Sequence, residues 1–295
     1  MNCFTKRLFS SIDSGPNLIF RKAKVSGKSI EDLKSSKVIV PGFKGEALYG
    51  TSPVLEALIA GRRKIFKLYI KRSVKDRRFE DGRVSKILSL AEELKIPVGR
   101  LTQAQFDRKT NFQLHNGVCI DASSMSFSDF NDECQQLLFL DGVLDPGNIG
   151  AIARTAFYFG ISQLVLRSSR CPNLITPVMS KASSGALEHM SVSKLDDEVL
   201  REKLSGFTLI GTVEPGSTNE KVPIIDIRNF TTDQGKKLAL VLGDEGEGMS
   251  PLMRSLCEKL VTIPRLRENS SVNSLNVSVA AGIFLYHLNQ TYIKE

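Results

Sequence analysis

Short apolar runs alternate with stretches of helical periodicity across the C-terminal half of the chain. Apolar runs of strand length occupy residues 137–143, 163–166, 207–213, 238–242 and 260–263. Helical periodicity fills the intervals near residues 149–159, 177–186, 196–205, 250–258 and 274–289. Buried strands that alternate with helices are typical of a parallel sheet covered on both faces. The pattern therefore predicts an α/β domain over residues 136–295.

A smaller α/β unit is predicted over residues 47–122. Ser52 is suited to cap a helix whose first residue is Pro53. The other predicted elements of this unit are a strand over 66–70, a helix over 83–94 and a strand over 116–121. The following stretch, residues 123–135, is rich in Ser and Asp and is interpreted as a linker between two domains.

Residues 1–28 have the composition of a targeting segment. They carry six Lys or Arg residues and one acid, Asp13, together with several serines. In a helix, Phe4, Leu8 and Ile12 would form one apolar stripe. These features predict a mitochondrial transit peptide, and the alternative is a disordered basic tail.

The overall composition excludes several other classes of protein. Apolar residues make up 41% and charged residues 24% of the chain, which excludes a wholly disordered or fibrous protein. No run of 18 apolar residues occurs, which argues against a membrane-spanning helix. Five cysteines and three histidines are widely spaced, so we expect neither a disulfide framework nor a metal site. The cysteine usage also indicates a reducing compartment.

The positive charge is concentrated in the N-terminal part of the chain. The net charge of +8 divides into +13 for residues 1–120 and −5 for residues 121–295. The excess peaks between Arg62 and Arg78, where nine bases accompany a single acid, Asp76. Such a density predicts a polyanionic partner such as RNA or DNA, and the alternative is an ordinary solvated surface.

Three polar loops follow strands of the predicted sheet, at the edge where α/β sheets bind ligands. The first carries Asn148, suited to cap a helix, and Arg154 six residues later. The second, residues 243–248, combines three glycines with three carboxylates, and the third leads from Ile263 to Asn276. Each loop alone also fits a structural role: a capped helix with a solvated arginine, a flexible turn, or a buried amide.

Taken in order, the three loops resemble the SpoU/TrmH branch of the SPOUT superfamily of methyltransferases. The family pattern is Asn-x-Gly followed by Arg, then a strand ending in Gly-x-Glu-x-x-Gly, and finally Ile-Pro followed by Ser-Leu-Asn. The matching residues here are Asn148-Ile149-Gly150 with Arg154, Gly243-Asp244-Glu245-Gly246-Glu247-Gly248, and Ile263-Pro264 with Ser274-Leu275-Asn276. Residues 47–122 also resemble the family's substrate-binding domain, which is related to ribosomal protein L30e. The residues that carry this second resemblance are Tyr49-Gly50 with Val54, and His115-Asn116-Gly117-Val118.

The resemblance implies a C-terminal domain with a trefoil knot that binds S-adenosylmethionine. It also implies a homodimer whose active site lies at the subunit interface, and a reaction that requires no metal. The expected cofactor-binding residues are Gly243, Ile263, Ser274 and Leu275. The expected catalytic residues are Asn148, Arg154, Glu245 and Asn276.

The implied reaction is methyl transfer to a ribose 2′-hydroxyl of RNA, and Arg154 is its expected central residue. Two roles for Arg154 stay open. One is the base that removes the hydroxyl proton, as proposed for the family. The other is electrostatic stabilisation of the developing alkoxide and the adjacent phosphate, which suits a side chain that is always protonated. Asn148, Glu245 and Asn276 would then orient the ribose and the arginine.

The combination of a mitochondrial leader and a basic accessory domain resembles family members that methylate a guanosine ribose in mitochondrial large-subunit rRNA, in the matrix. The alternatives are a tRNA ribose methyltransferase and a non-catalytic RNA-binding ribosome assembly factor. The sequence departs from the family between Pro264 and Ser274, where it is longer and lacks a glycine. Cofactor contacts from residues 265–273 are therefore not predicted, and Arg265 and Arg267 are expected to meet RNA instead.

Overall fold

The computed structural model describes residues 39–72, 82–218, 222–232, 235–267 and 274–292. The transit peptide expected over residues 1–28 lies outside them, as do Lys75, Arg77 and Arg78 of the basic run. The strands are β1 (Glu46–Tyr49), β2 (Ile65–Lys71), β3 (Val98–Leu101), β4 (Val118–Ala122), β5 (Gln136–Asp141), β6 (Gln163–Arg167), β7 (Ser191–Leu195), β8 (Thr208–Val213), β9 (Ile224–Asp226), β10 (Leu238–Gly243) and β11 (Lys259–Thr262). The helices are α1 (Thr51–Ala60), α2 (Gly82–Glu93), α3 (Gln103–Lys109), α4 (Pro146–Tyr158), α5 (Pro177–Ala182), α6 (Leu200–Lys203), α7 (Pro251–Leu256) and α8 (Val277–Tyr292).

The larger sheet has seven parallel strands in the order β7-β6-β5-β10-β8-β11-β9. Helices α4, α5 and α8 cover one face around a core that includes Ile152, Met179 and Phe284. Helices α6 and α7 cover the other face, where Leu200 and Met253 are buried. Apolar side chains on both faces explain why the inner strands are continuous apolar runs. The predicted α/β fold with a parallel sheet is confirmed.

All five strands predicted for this sheet are present, and two further strands were missed. The missed strands, β7 and β9, are the two edges of the sheet. β7 carries polar residues at three of its five positions, and β9 has only three residues, all half-buried. The helix expected over 196–205 is also shorter than predicted, because only Leu200–Lys203 is helical.

The smaller sheet has the order β1-β4-β2-β3, in which β4 is antiparallel to both of its neighbours. Helices α1 and α2 pack on one face, where Val54, Leu68 and Ile87 are fully buried. The predicted strand 66–70 and helix 83–94 are confirmed by β2 and α2. Elements β1, β3 and α3 were not predicted.

The predicted cap of α1 is wrong. The helix begins at Thr51, and its N-cap is Gly50, whose φ of 97° favours glycine and which offers no side-chain cap. Ser52 lies inside the helix and accepts a hydrogen bond from the guanidinium of Arg83 at 3.2 Å.

Residues 123–135 contain no helix or strand, and they are attached to the larger sheet. Met125 is buried in the core and forms a β-bridge with Ile175. The backbone N–H of Ser128 donates to the carbonyl of Val192 at 2.8 Å. This segment therefore follows a defined path along the larger sheet.

A buried ion pair connects the small sheet's unit to the larger one. The guanidinium of Arg63 donates to both carboxylate oxygens of Glu188, at 2.8 and 3.0 Å, and both side chains are fully buried. It also contacts Glu46, the hydroxyl of Ser180 and the carbonyl of Ser123. Arg63 is thus not part of an RNA-facing basic surface. The prediction of a polyanionic partner for the whole basic run is wrong for Arg63.

No helix among the described residues is long and apolar enough to cross a membrane.

Candidate active site

Parallel pairing brings the first two polar loops together. Strands β5 and β10 are neighbours, and Asp141 and Gly243 at their ends are register partners. The loop after β5 leads into α4, and the loop after β10 is residues 243–248. Since parallel strands end at the same edge of the sheet, these two loops lie side by side.

Asn148, Glu245 and Asn276, one residue from each loop, form a hydrogen-bonded cluster. The amide of Asn148 donates to Oε1 of Glu245. The amide of Asn276 donates to the same oxygen at 3.2 Å and to Oδ1 of Asn148 at 3.1 Å. Oδ1 of Asn276 accepts from the backbone N–H of Ser278 at 2.9 Å. These bonds fix the orientation of both amides and leave Oε2 of Glu245 without a hydrogen bond among the described residues.

Asn148 takes part in this cluster because it is not the helix cap. The N-cap of α4 is Asp145, whose carboxylate accepts from the backbone N–H of Asn148 at 2.7 Å. The predicted capping role of Asn148 is therefore wrong. Its side chain points to the neighbouring loop instead, while Asp145 satisfies the helix terminus.

A cavity of about 710 Å³ opens beside the cluster. Its walls are the loops that follow β8, β10 and β11, together with the start of α8. Leu242, Val277 and Phe284 supply an apolar floor, and Glu245 lies at its edge. The four residues predicted to bind the cofactor all line this cavity: Gly243, Ile263, Ser274 and Leu275.

The loop 243–248 is held by its own backbone and by Asp244. Asp244 and Gly248 exchange two backbone hydrogen bonds, and the carboxylate of Asp244 accepts from the N–H groups of Gly246 and Glu247 at 2.9 Å each. The hydrogen bond from Glu247 is the largest cause that holds the pKa of Asp244 below its ordinary value. A Cβ on Gly243 would lie 2.3 Å from backbone atoms of Gly248 and Met249, so this loop can close only on glycine.

A buried polar network beneath the loops was not predicted from the sequence. Asp141 is fully buried and accepts from the guanidinium of Arg167 at 2.8 Å and from the backbone N–H of Ser250 at 2.6 Å. Arg167 also binds the carboxylate of Asp197, and this bond is the largest cause that raises the pKa of Arg167. The sequence offered one signal of this network: a charged residue, Asp141 or Arg167, at the end of each of two apolar runs. The network ties the ends of β5 and β6 to the start of α7.

Comparison with known proteins identifies the family. A family model described as the SpoU rRNA Methylase family matches residues 135–286. The chain belongs to this family. A second model, described as RNA 2'-O ribose methyltransferase substrate binding, matches residues 47–127, which include the smaller sheet except for Glu46. As a SpoU family member, the chain is an RNA methyltransferase.

Individual relatives agree with this assignment. The human rRNA methyltransferase 1, mitochondrial, is 36% identical over 268 residues, which cover 85% of this chain and 74% of the relative. The AdoMet-bound rRNA methyltransferase from Sinorhizobium meliloti has a TM-score of 0.63 at 22% identity, over 82% of this chain and 85% of that one. The SpoU methyltransferase AviRb from Streptomyces viridochromogenes, in complex with AdoMet, has a TM-score of 0.61 at 21% identity, over 83% and 89% of the two chains. These two structures share the fold of this SpoU family member.

Arg154 of the family motif does not join the cluster within one chain. Its side chain is exposed on α4 and has no hydrogen bond or ion pair among the described residues. It lines a different cavity, together with Glu56, Phe157 and His189. One chain therefore brings together Asn148, Glu245 and Asn276 but leaves Arg154 apart.

The segment between Pro264 and Ser274, which departs from the family pattern, begins at the rim of the first cavity. Residues 265–267 line it, and Leu266 is 92% exposed. Residues 268–273 lie outside the described part of the chain. The expectation that Arg265 and Arg267 contact RNA stays a prediction.

Proposed function

We propose that this SpoU family member is a mitochondrial matrix enzyme that methylates the ribose 2′-hydroxyl of a guanosine in large-subunit rRNA. The observation that carries the proposal is the cluster of Asn148, Glu245 and Asn276 at the edge of the first cavity. The mitochondrial rRNA methyltransferase to which the chain is 36% identical supports the compartment and the class of RNA. The composition of residues 1–28 supports the same compartment.

The methyl donor is S-adenosylmethionine, and the first cavity fits it. A volume of about 710 Å³ falls within the range of about 300–1,000 Å³ that is usual for sites of drug-sized ligands. The apolar floor suits an adenine ring, and Gly243 and Ile263 offer backbone groups at the cavity wall. When bound, this cofactor supplies an electrophilic methyl group that an alcohol oxygen can accept.

The polar cluster orients the ribose. Oε2 of Glu245 is available to accept a hydrogen bond from a ribose hydroxyl, because Oε1 already accepts from two amides. Because the amides of Asn148 and Asn276 are held by hydrogen bonds, Glu245 is held in one orientation. Fixed orientation of the reacting groups supplies much of the rate in such transfers.

Arg154 completes the active site from the partner subunit of a homodimer. In its own chain it does not line the first cavity, and α4 and the adjoining α8 carry exposed apolar side chains. Tyr158 is 83% exposed, Tyr286 is 56% exposed and Val279 is 52% exposed. Large exposed apolar side chains on two adjoining helices mark a surface that another chain covers. From the partner subunit, the guanidinium would stabilise the negative charge that develops on the 2′-oxygen as its proton passes to solvent, together with the charge of the adjacent phosphate.

The test is methyl transfer by the purified protein. The protein is incubated with methyl-labelled S-adenosylmethionine and separate transcripts of mitochondrial large-subunit rRNA, small-subunit rRNA and tRNAs. We expect label on one ribose of the large-subunit transcript, and its loss in Arg154→Ala. Label confined to tRNA would contradict the assigned substrate, and no label on any RNA would contradict the proposed activity.

A further inference from the structure

A second cavity, of about 700 Å³, lies where the smaller unit meets the larger one. Helix α1 contributes Glu56 to it, and α4 contributes Arg154 and Phe157. The segment after α5 contributes Ser183, Ser184 and His189. The cavity therefore joins the unit matched by the substrate-binding model to the helix that carries Arg154.

One wall of this cavity is aromatic. Phe157 is 44% exposed, and its ring stacks on that of His189 at a centroid distance of 5.8 Å and an interplanar angle of 27°. An exposed ring of this kind offers a face on which an unstacked nucleobase can lie.

A carboxylate faces the same space. Oε2 of Glu56 lies 2.8 Å from Nε2 of His189, which fixes the side chain. Oε1 of Glu56 has no hydrogen-bond partner among the described residues, and the side chain is 33% exposed. The cavity thus presents an anionic acceptor beside an aromatic face.

The junction that builds this cavity is rigid. Glu188, the residue before His189, is held by Arg63 in the buried ion pair. Gly185 has a φ of 93°, and a Cβ there would lie 2.6 Å from Cβ of Glu56, so α1 and this turn are in close contact. Glu56 and Phe157 both contact His189, which positions the carboxylate and the aromatic ring relative to each other, as recognition of a base requires.

We propose that this cavity binds the base of the target nucleoside and that Glu56 selects guanine. Guanine presents two adjacent donors, N1–H and the N2 amino group, which a carboxylate can accept together. Adenine and cytosine each have a ring-nitrogen lone pair next to the amino group, and this lone pair would be repelled by the carboxylate. Uracil offers only one donor. Arg154 lines the same cavity, so the base binds to the subunit that supplies Arg154, and its ribose reaches the first cavity of the other subunit. The inference rests on the proposed function, because it concerns the nucleoside that is methylated.

The test compares guanosine with inosine, which lacks only the N2 amino group. The substrate is a large-subunit rRNA fragment with guanosine or inosine ligated at the mapped methylation site. We expect kcat/KM of the wild type to favour guanosine by at least about tenfold, because a hydrogen bond to a charged group is lost. In Glu56→Gln this preference should fall to near one, because the new amide donor faces the N2 amino group. Phe157→Leu should lower kcat/KM for both substrates by about tenfold without changing their ratio.

The matched control is Glu92→Gln, on the exposed side of α2, which should keep the wild-type ratio. The melting temperature and S-adenosylmethionine affinity of each variant report whether it is folded, so a misfolded protein is recognised. An unchanged guanosine-to-inosine ratio in folded, active Glu56→Gln would overturn this inference and leave the proposed function intact. A wild type that methylates no large-subunit fragment would overturn the proposed function instead.

Discussion

Gly150 and Gly243, two glycines of the family motifs, are required because other atoms approach them too closely for a side chain. The sequence alone does not show these contacts. Gly150 lies in α4, where a Cβ would be 2.4 Å from the carbonyl oxygen of Met179 and 2.6 Å from Cβ of Ala182. The close approach of α4 to α5 therefore depends on it. At Gly243, a Cβ would be equally close to backbone atoms of Gly248 and Met249. Asn148 likewise acquires its neighbours only in the fold, since its partners are 97 and 128 residues away.

Gly150→Ala should destabilise the protein. The added methyl group meets backbone, which must shift, and such overpacking costs about 1–3 kcal/mol. Thermal unfolding would show this as a clear decrease in Tm relative to the wild type. Gly206→Ala is the matched control, since a Cβ there meets nothing within 4 Å. Equal Tm values for the two variants would contradict the packing argument.

Among the elements of the larger sheet, the inner strands can be predicted from the sequence, whereas the two edge strands cannot. Continuous apolar runs are enough to predict β5, β8 and β10, whereas β7 and β9 lack that pattern because one side of each edge strand has no neighbour. The cluster residues could be selected from their motifs. Their mutual contacts could not, because strand order decides which loops adjoin. The separation of Arg154 from the cluster also needed the structure.

Arg63→Met should weaken the junction between the two sheets. Removing one partner of a buried ion pair leaves Glu188 charged and uncompensated, and this costs about 3–5 kcal/mol. Urea unfolding measures the loss. Arg63→Met combined with Glu188→Leu should recover part of it, since the fully buried carboxylate of Glu188 is then removed together with its partner. The exposed Arg100→Met is the control, with little expected change. A stability of Arg63→Met equal to that of the control would argue against the role of the ion pair.

Asp244 should make the loop 243–248 sensitive to acid. Its folded pKa lies below the ordinary value of 3.8, chiefly because the N–H groups of the loop bind the ionised form. The stabilisation is therefore present above the unfolded pKa and is lost as pH falls through the folded pKa. The free energy of unfolding of the wild type should exceed that of Asp244→Ala at pH 6, and the difference should shrink below pH of about 4. A difference that stays constant over this pH range would contradict the assignment.

At the scale of the whole molecule, a dimer would unite groups that one chain keeps apart. If Arg154 acts on the cavity of the partner subunit, two inactive variants can complement each other. A mixed dimer of Arg154→Ala and Asn276→Ala contains one site in which both residues are intact. Random mixing of subunits should then restore about one quarter of wild-type activity. Each variant alone should be inactive, and a mixture that stays inactive after subunit exchange would contradict the shared site.

We propose that this SpoU family member methylates one ribose of mitochondrial large-subunit rRNA and that Arg154 takes part in this reaction. The most direct test of this proposal is a map of 2′-O-methyl positions on mitochondrial RNA from cells that lack the protein. These cells would be complemented with the wild type or with Arg154→Ala. We expect a single 2′-O-methyl group of the large-subunit rRNA to disappear and only the wild type to restore it. An unchanged rRNA map would contradict the substrate, and a mark restored equally by Arg154→Ala would contradict the role of the arginine.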